Sequence, residues 1–185
     1  MDNKLKIINT ALRLFTQDGF HGTTTASIAK EAGISNGTLF HYFKTKEELI
    51  NYLYLFSKSE FRNSLCENYS ESFANKSTFK KLWYSCIEWY LQNKEKVCFL
   101  SMYSNSPYID ALSKEEASRN FDFLLELIDK GIEEEILINA PKELILNTFY
   151  ASILAIYKFV NNQSSDIDKN INIAFNMWWK SVVNI

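Results

Sequence analysis

The chain has 185 residues, 46% of them hydrophobic and 23% charged, with a formal net charge of −2. That is long enough and apolar enough to bury a real core, and it excludes a disordered chain or a generally basic nucleic-acid coat. Three cysteines (Cys66, Cys86, Cys98) are an odd number without metal-type spacing, so they read as small apolar residues in a reducing cytosol.

The amino end, MDNKLKIINT, is charged and amphipathic, unlike a signal peptide. Four of the five glycines lie within the first 37 residues and there are only two prolines. The rest of the chain therefore lacks backbone punctuation, as long helices require, and an all-α protein is expected.

The first predicted helix runs from about Lys4 to Gln17, with Leu5, Ile8, Leu12 and Phe15 in one stripe and Asp18 and Gly19 as its stop. Two short helices joined by a tight turn follow between Thr24 and Lys46. Thr24 is the N-cap of the first, and Ile28, Ala29 and Ala32 give it an apolar face. Gly33 stops it where a left-handed residue is needed. Ser35 caps the second, whose buried side is Leu39, Phe40 and Phe43, and Thr45 starts a longer helix with Glu47 and Glu48 in its first turn. Small Ala29, Gly33 and apolar Leu39 fall where a helix-turn-helix needs a crossing residue, a turn glycine and a closing contact.

The ordered run ALRLFTQDGF, TTTASIAKEAGIS, GTLFHYF and KTKEEL over residues 5–49 resembles the N-terminal DNA-binding domain of the tetracycline-repressor (TetR) family of transcriptional regulators. The resemblance implies a three-helix helix-turn-helix DNA-binding domain at residues 1–47. A larger helical effector-binding and dimerisation domain is then expected at 48–185. It implies DNA contact by Ser35, Asn36, Gly37, Thr38, His41 and Tyr42. Phosphates would be held by the helix start at Thr24 and Thr25 and by the Lys46 ammonium. Asn can pair with adenine and Thr can touch a thymine methyl in the major groove. Two departures from the family pattern stand out: Phe40 replaces a usual tyrosine, and Ala26 replaces a frequent basic residue. Fewer ionic contacts imply a shallow salt dependence. Charge agrees in sign only: residues 1–50 hold six Lys and Arg against five Asp and Glu.

The helix from Thr45 is expected to reach about Ser70, linking the DNA-binding head to the remainder. Two helices then span about 75–105 with a break near Lys94, closed by Pro107. Residues 51–185 hold 23 of the 28 aromatics. Trp83, Cys86, Ile87, Tyr90, Phe99, Met102, Tyr103, Phe121 and Tyr150 are therefore candidates for lining an effector pocket. The same stripes at helical spacing also describe an ordinary core. Glu88 or Glu126 could neutralise a cationic ligand if buried.

A helix over 115–137 ends in the acidic run Glu133–Glu135, read as a solvated helix end rather than a metal site. Pro141 opens the next helix, which runs to about Asn162; its apolar stretch Leu144–Val160 is broken by Asn147, Thr148, Ser152 and Lys158, so it reads as a buried helix and not a membrane span. A last helix begins at about Ile167. Thr148, Ala151, Ser152, Ala155, Ile171, Phe175 and Trp178 on these two helices are the expected dimer interface, as four helices about a two-fold axis, with packing inside one chain as the other reading.

The combined expectation is a cytoplasmic, homodimeric regulator, most simply a repressor. It would bind a palindromic operator and be released by a small hydrophobic or cationic effector. No cofactor, metal site or membrane partner is expected. An activator or architectural factor of the same fold without a ligand is the alternative. An enzyme is poorly supported: both histidines, His21 and His41, lie in the head, and there is no phosphate loop, metal spacing or nucleophile motif.

Overall fold

The computed structural model describes residues 2–67, 73–104, 106, 108, 115, 119, 121–162 and 165–184. Among the described residues there are nine helices and no strands: α1 (Asn3–Gly22), α2 (Thr25–Glu31), α3 (Asn36–Tyr42), α4 (Lys46–Glu67), α5 (Lys76–Gln92), α6 (Lys94–Tyr103), α7 (Asp122–Glu133), α8 (Lys142–Asn161) and α9 (Ile167–Val182). They fall into two compact units, residues 1–59 with 93–117, and residues 60–92 with 118–185. The helix α4 runs through both. α6 groups with the N-terminal helices in the first unit.

In the first unit α1 supplies the core that a two-helix motif lacks. Ile7, Ala11 and Phe15 are fully buried, and Ile28, Leu39, Leu49, Ile50 and Leu53 close on them from α2, α3 and α4. α1 runs past the expected stop at Asp18, with a kink at Gly19 (φ 73°). The kink keeps Phe20 in the core, where it meets Phe15 at 5.3 Å and Phe99 at 5.7 Å between ring centres. Tyr54 of α4 stacks on Tyr103 of α6 at 4.1 Å.

In the second unit Trp83 of α5 has no accessible surface and packs against Phe149, Phe175 and Trp178. Phe61 joins Trp89, Tyr90 and Phe121. The expected helix over 115–137 is described from Asp122, residues 116–118 and 120 lying outside the described set, as do 68–70 and Pro107. It stops at Glu133, four residues short of expectation. Glu135 takes φ 56°, and the amides of Ile136 and Leu137 both donate to the Gly131 carbonyl at 2.9 Å. The turn folds Leu137 back over Gly131: a Cβ there would lie 2.8 Å from the Leu137 Cδ1. Leu137 then pairs with Val183 in an isolated antiparallel bridge, Ile138 donating to Val182 and Asn184 to Ile136, each at 2.9 Å.

α8 is long and apolar enough, by length and composition alone, to cross a membrane, with 33% of that window buried. It packs against α5, α7 and α9.

Candidate nucleic-acid interface

The helix pair α2–α3 is set by three short hydroxyl contacts. Thr24 accepts from the Ser27 amide at 3.0 Å, and Ser27 Oγ accepts from the Thr24 amide at 3.1 Å, a reciprocal cap that satisfies donors the helix start would orphan. Ser35 Oγ accepts from the Thr38 amide at 3.1 Å and starts α3. Between them Gly33 sits at φ 67°, a conformation L side chains rarely adopt, and lets the chain reverse in two residues. The Ile34 amide donates back to the Ala29 carbonyl at 3.0 Å, which closes the turn.

This leaves one outward stripe on α3. Asn36, Gly37, Phe40 and His41 are exposed, while Leu39 is fully buried beneath them. Thr38 is half-buried, and its hydroxyl shares a 2.9 Å hydrogen bond with Ser35 Oγ. Tyr42 is half-buried too and packs on the core of the head, with His41 at 5.4 Å between rings. Thr24 is exposed and Thr25 half-buried at the start of α2. Of the expected contact set, Asn36, Gly37 and His41 thus present freely. Ser35, Thr38 and Tyr42 are partly engaged in holding the helices. Phe40, expected on the buried side, is 42% exposed, because Leu39 and Phe43 alone fill the space beneath α3.

Lys46 has a different situation from the others. Its Nζ donates to the Phe20 carbonyl at 2.6 Å and the Thr23 carbonyl at 3.0 Å, tying the start of α4 to the end of α1. Arg13 is likewise engaged, with Glu31 at 2.8 Å. Lys44, which the sequence reading passes over, is exposed immediately after α3, and Lys30 is exposed at the end of α2. Their only sequence signal is their place flanking the short helices.

The nine aromatic and apolar residues expected around an effector do not form one group. Phe99, Met102 and Tyr103 pack in the core of the first unit, Phe99 and Tyr103 with at most 1% exposure. Trp83, Cys86, Ile87, Tyr90, Phe121 and Tyr150 belong to the second. There Cys86, Tyr90 and Tyr150 sit in surroundings hostile to charge: burial first of all pushes the Cys86 thiol and both phenols up. The Tyr150 hydroxyl and Trp83 Nε1, both cut off from solvent, have no hydrogen-bond partner among the described residues. Only Ile87 of the nine borders the described cavity, which lies between α5 and α9.

The expected dimer residues divide by helical phase. Ile171, Phe175 and Trp178 are at most 4% exposed and belong to the protomer's own core, so they are corrected from interface to interior. Trp178 Nε1 donates to Thr148 Oγ1 at 3.3 Å inside the same chain. Ala151 and Ala155 are exposed, Thr148 is exposed beside that contact, and Ser152 is half-buried. The outward apolar side chains are instead Leu144 and Phe159 on α8 with Ile173 and Met177 on α9, from 47% to 68% exposed. On α9 the exposed Ile173 and Met177 lie two residues beyond the buried Ile171 and Phe175, on the other side of the helix, whereas on α8 the exposed Leu144 and Phe159 share one face with the expected Thr148, Ala151 and Ala155.

Residues 7–53 match the bacterial regulatory proteins of the tetR family, and residues 55–183 match the tetracyclin repressor-like C-terminal domain. A tetR-family regulator structure from Shewanella sp. PV-4 is 32% identical over 99% of both chains, with a TM-score of 0.90. The FadR regulator of Bacillus subtilis, solved with stearoyl-CoA, has a TM-score of 0.76 over 95% of this chain and 97% of that one at 18% identity, a likeness of fold. The fatty acid metabolism regulator protein of Bacillus subtilis is 31% identical over 77 residues, 42% of this chain and 38% of that protein. The chain thus spans well under half of that relative's length.

Proposed function

As a member of the tetracycline-repressor family of bacterial transcriptional regulators, to which the chain belongs, we propose that this protein is a homodimeric, ligand-responsive repressor of the cytoplasm. The observation that carries the reading is the capped α2–Gly33–α3 turn, which leaves Asn36, Gly37, Phe40 and His41 outward on a helix whose other side is locked in the core.

Two copies pair through α8 and α9, burying Leu144, Phe159, Ile173 and Met177 over the small Ala151 and Ala155. That pairing brings two α3 helices to successive major grooves of a palindromic operator, about 34–36 Å apart. Asn36 hydrogen-bonds a base edge, while His41, Tyr42, Thr24, Thr25, Ser35 and Thr38 contact the groove and its phosphates. Gly37 lets the backbone approach.

An effector bound in the second unit favours the head spacing that does not fit DNA. A coupling of about 1–3 kcal/mol suffices for such a switch. A hydrophobic effector is supported by the stearoyl-CoA held by a regulator of the same fold.

The test is selection of bound DNA from a random pool with the full chain, followed by binding with and without hydrophobic compounds. Enrichment of an inverted repeat bound by a dimer and released by a compound supports the proposal. Enrichment that no compound reverses points to the ligand-free activator or architectural factor. Failure to enrich any sequence defeats it.

A further inference from the structure

A cavity of about 310 Å³ lies in the second unit between α5 and the first turn of α9. Its size is at the lower end of small-molecule sites. Tyr84, Ile87, Glu88 and Leu91 come from one face of α5, at i, i+3, i+4 and i+7, and Ile167, Asp168 and Ile171 from one face of α9. Ile87 and Ile171 are buried and Leu91 and Ile167 half-buried, which gives an apolar floor. Among the described residues the charged groups on the wall are Glu88 and Asp168, both exposed and both acidic, and no lysine or arginine lines the space.

Among the described residues neither carboxylate is in a salt bridge. Glu88 Oε1 accepts from Gln92 Nε2 at 3.2 Å, a contact with a neutral side chain that steadies it. Asp168 stands in the first turn of α9, whose N-cap residue Asp166 makes no side-chain cap. A helix start favours negative charge, and Asp168 already supplies it, so a second anion there would meet two carboxylates. Tyr84 feels the same field: burial, then the Asp168 carboxylate, push its phenol up. Lys80 Nζ lies 5.8 Å from the Tyr84 ring centre without joining the wall.

We propose that this groove binds a small organic cation, an ammonium group carried on an aromatic or alkyl body. The body covers the four aliphatic side chains, and the ammonium sits between Glu88 and Asp168 with the Tyr84 phenol beside it. The site stands apart from the aromatic interior of the same unit. Its regulatory consequence rests on the function proposed above, because α9 also carries the exposed Ile173 and Met177. A body wedged against Ile167 and Ile171 bears on the helix through which the two copies pair.

The test uses the full chain and three probes of one shape: 4-phenylbutylammonium, 4-phenylbutanol and 4-phenylbutyrate, measured by calorimetry. The ammonium is expected to bind most tightly, and to weaken on raising the salt concentration. The double variant Glu88→Gln, Asp168→Asn should lower ammonium affinity roughly threefold to tenfold, since both charges are solvent-screened, and leave the alcohol unchanged. Both positions are exposed, so the variant should keep the urea midpoint of the parent. Leu91→Trp should fill the groove and abolish binding of all three.

The proposal is overturned if the alcohol or the butyrate binds as well as the ammonium, if the double variant binds the ammonium unchanged, or if no probe binds. DNA binding by the unliganded protein is measured in parallel. Its absence defeats the regulator reading alone, whatever the ammonium does.

Discussion

Replacing Lys46 by methionine should lower folding stability while leaving the ionic part of DNA affinity nearly intact. Its ammonium donates to the Phe20 and Thr23 carbonyls at 2.6 and 3.0 Å, where α1 ends and the chain enters α2. A hydrogen bond to a charged group contributes about 1.5–3 kcal/mol when dry. Lys46 is only half-buried, so solvent competes and each contact is worth less. A cation at a helix carboxyl end adds about 0.3–1 kcal/mol. Methionine keeps the aliphatic stem in place, so the expected loss is about 1–3 kcal/mol. With a urea dependence of about 3 kcal/mol per molar, the midpoint should fall by roughly 0.3–1 M.

DNA affinity is then measured against salt concentration. A phosphate contact would contribute about 0.9 to the slope of log affinity against log salt. An ammonium held by two carbonyls at the α1–α4 junction keeps its charge but is tied away from free movement onto a phosphate, and should contribute less than half of that. A variant with parental stability and a slope smaller by a full contact would refute the assignment of Lys46 to the α1–α4 junction.

Asn36→Ala should leave the urea midpoint unchanged and relax base preference at one operator position by about 1–3 kcal/mol, checked by selection from a random pool. Phe40→Tyr restores the phenol that the family pattern has and should raise affinity without altering the salt slope, since no cation is added; fluorescence anisotropy at two salt concentrations decides it. Met177→Asp with Ile173→Asp should convert a dimer to a folded monomer in sedimentation and weaken operator binding, because both side chains are exposed on the protomer. Gly131→Ala should destabilise by about 1–3 kcal/mol as its Cβ is forced within 2.8 Å of the Leu137 side chain, checked by urea unfolding.

The head was legible because its signals are local. Thr24, Gly33 and Ser35 act on backbone within three residues of themselves, so their chemistry is visible in a short window. The same holds for the break before α6, where Asn93 leaves helical geometry. What sequence missed depends on contacts far apart in the chain. Periodicity could not show that Phe99 and Tyr103 pack with Phe20 and Tyr54, since an aromatic stripe looks the same whichever neighbour it meets. Nor could it tell that α7 ends at Glu133, because the stop is made by Leu137 folding over Gly131 and pairing with Val183.

The two final helices show why total apolarity is a poor guide to an interface. α8 and α9 are apolar on more than one face, and the heavier face, with Phe149, Phe175, Trp178 and Trp179, is buried by the chain itself. A large aromatic surface has the most to gain from leaving water, so folding claims it first. What stays exposed is the lighter surface, with Leu144, Ala151, Ala155 and Phe159 on α8 and Ile173 and Met177 on α9, and the proposed pairing would use it. Helix pairing across a two-fold axis is served by that arrangement: alanines permit close approach, and a few flexible or branched side chains interdigitate around them. On the proposed pairing, the residues open to a second copy are therefore those the protomer's own core leaves exposed, Leu144 and Phe159 on α8 with Ile173 and Met177 on α9.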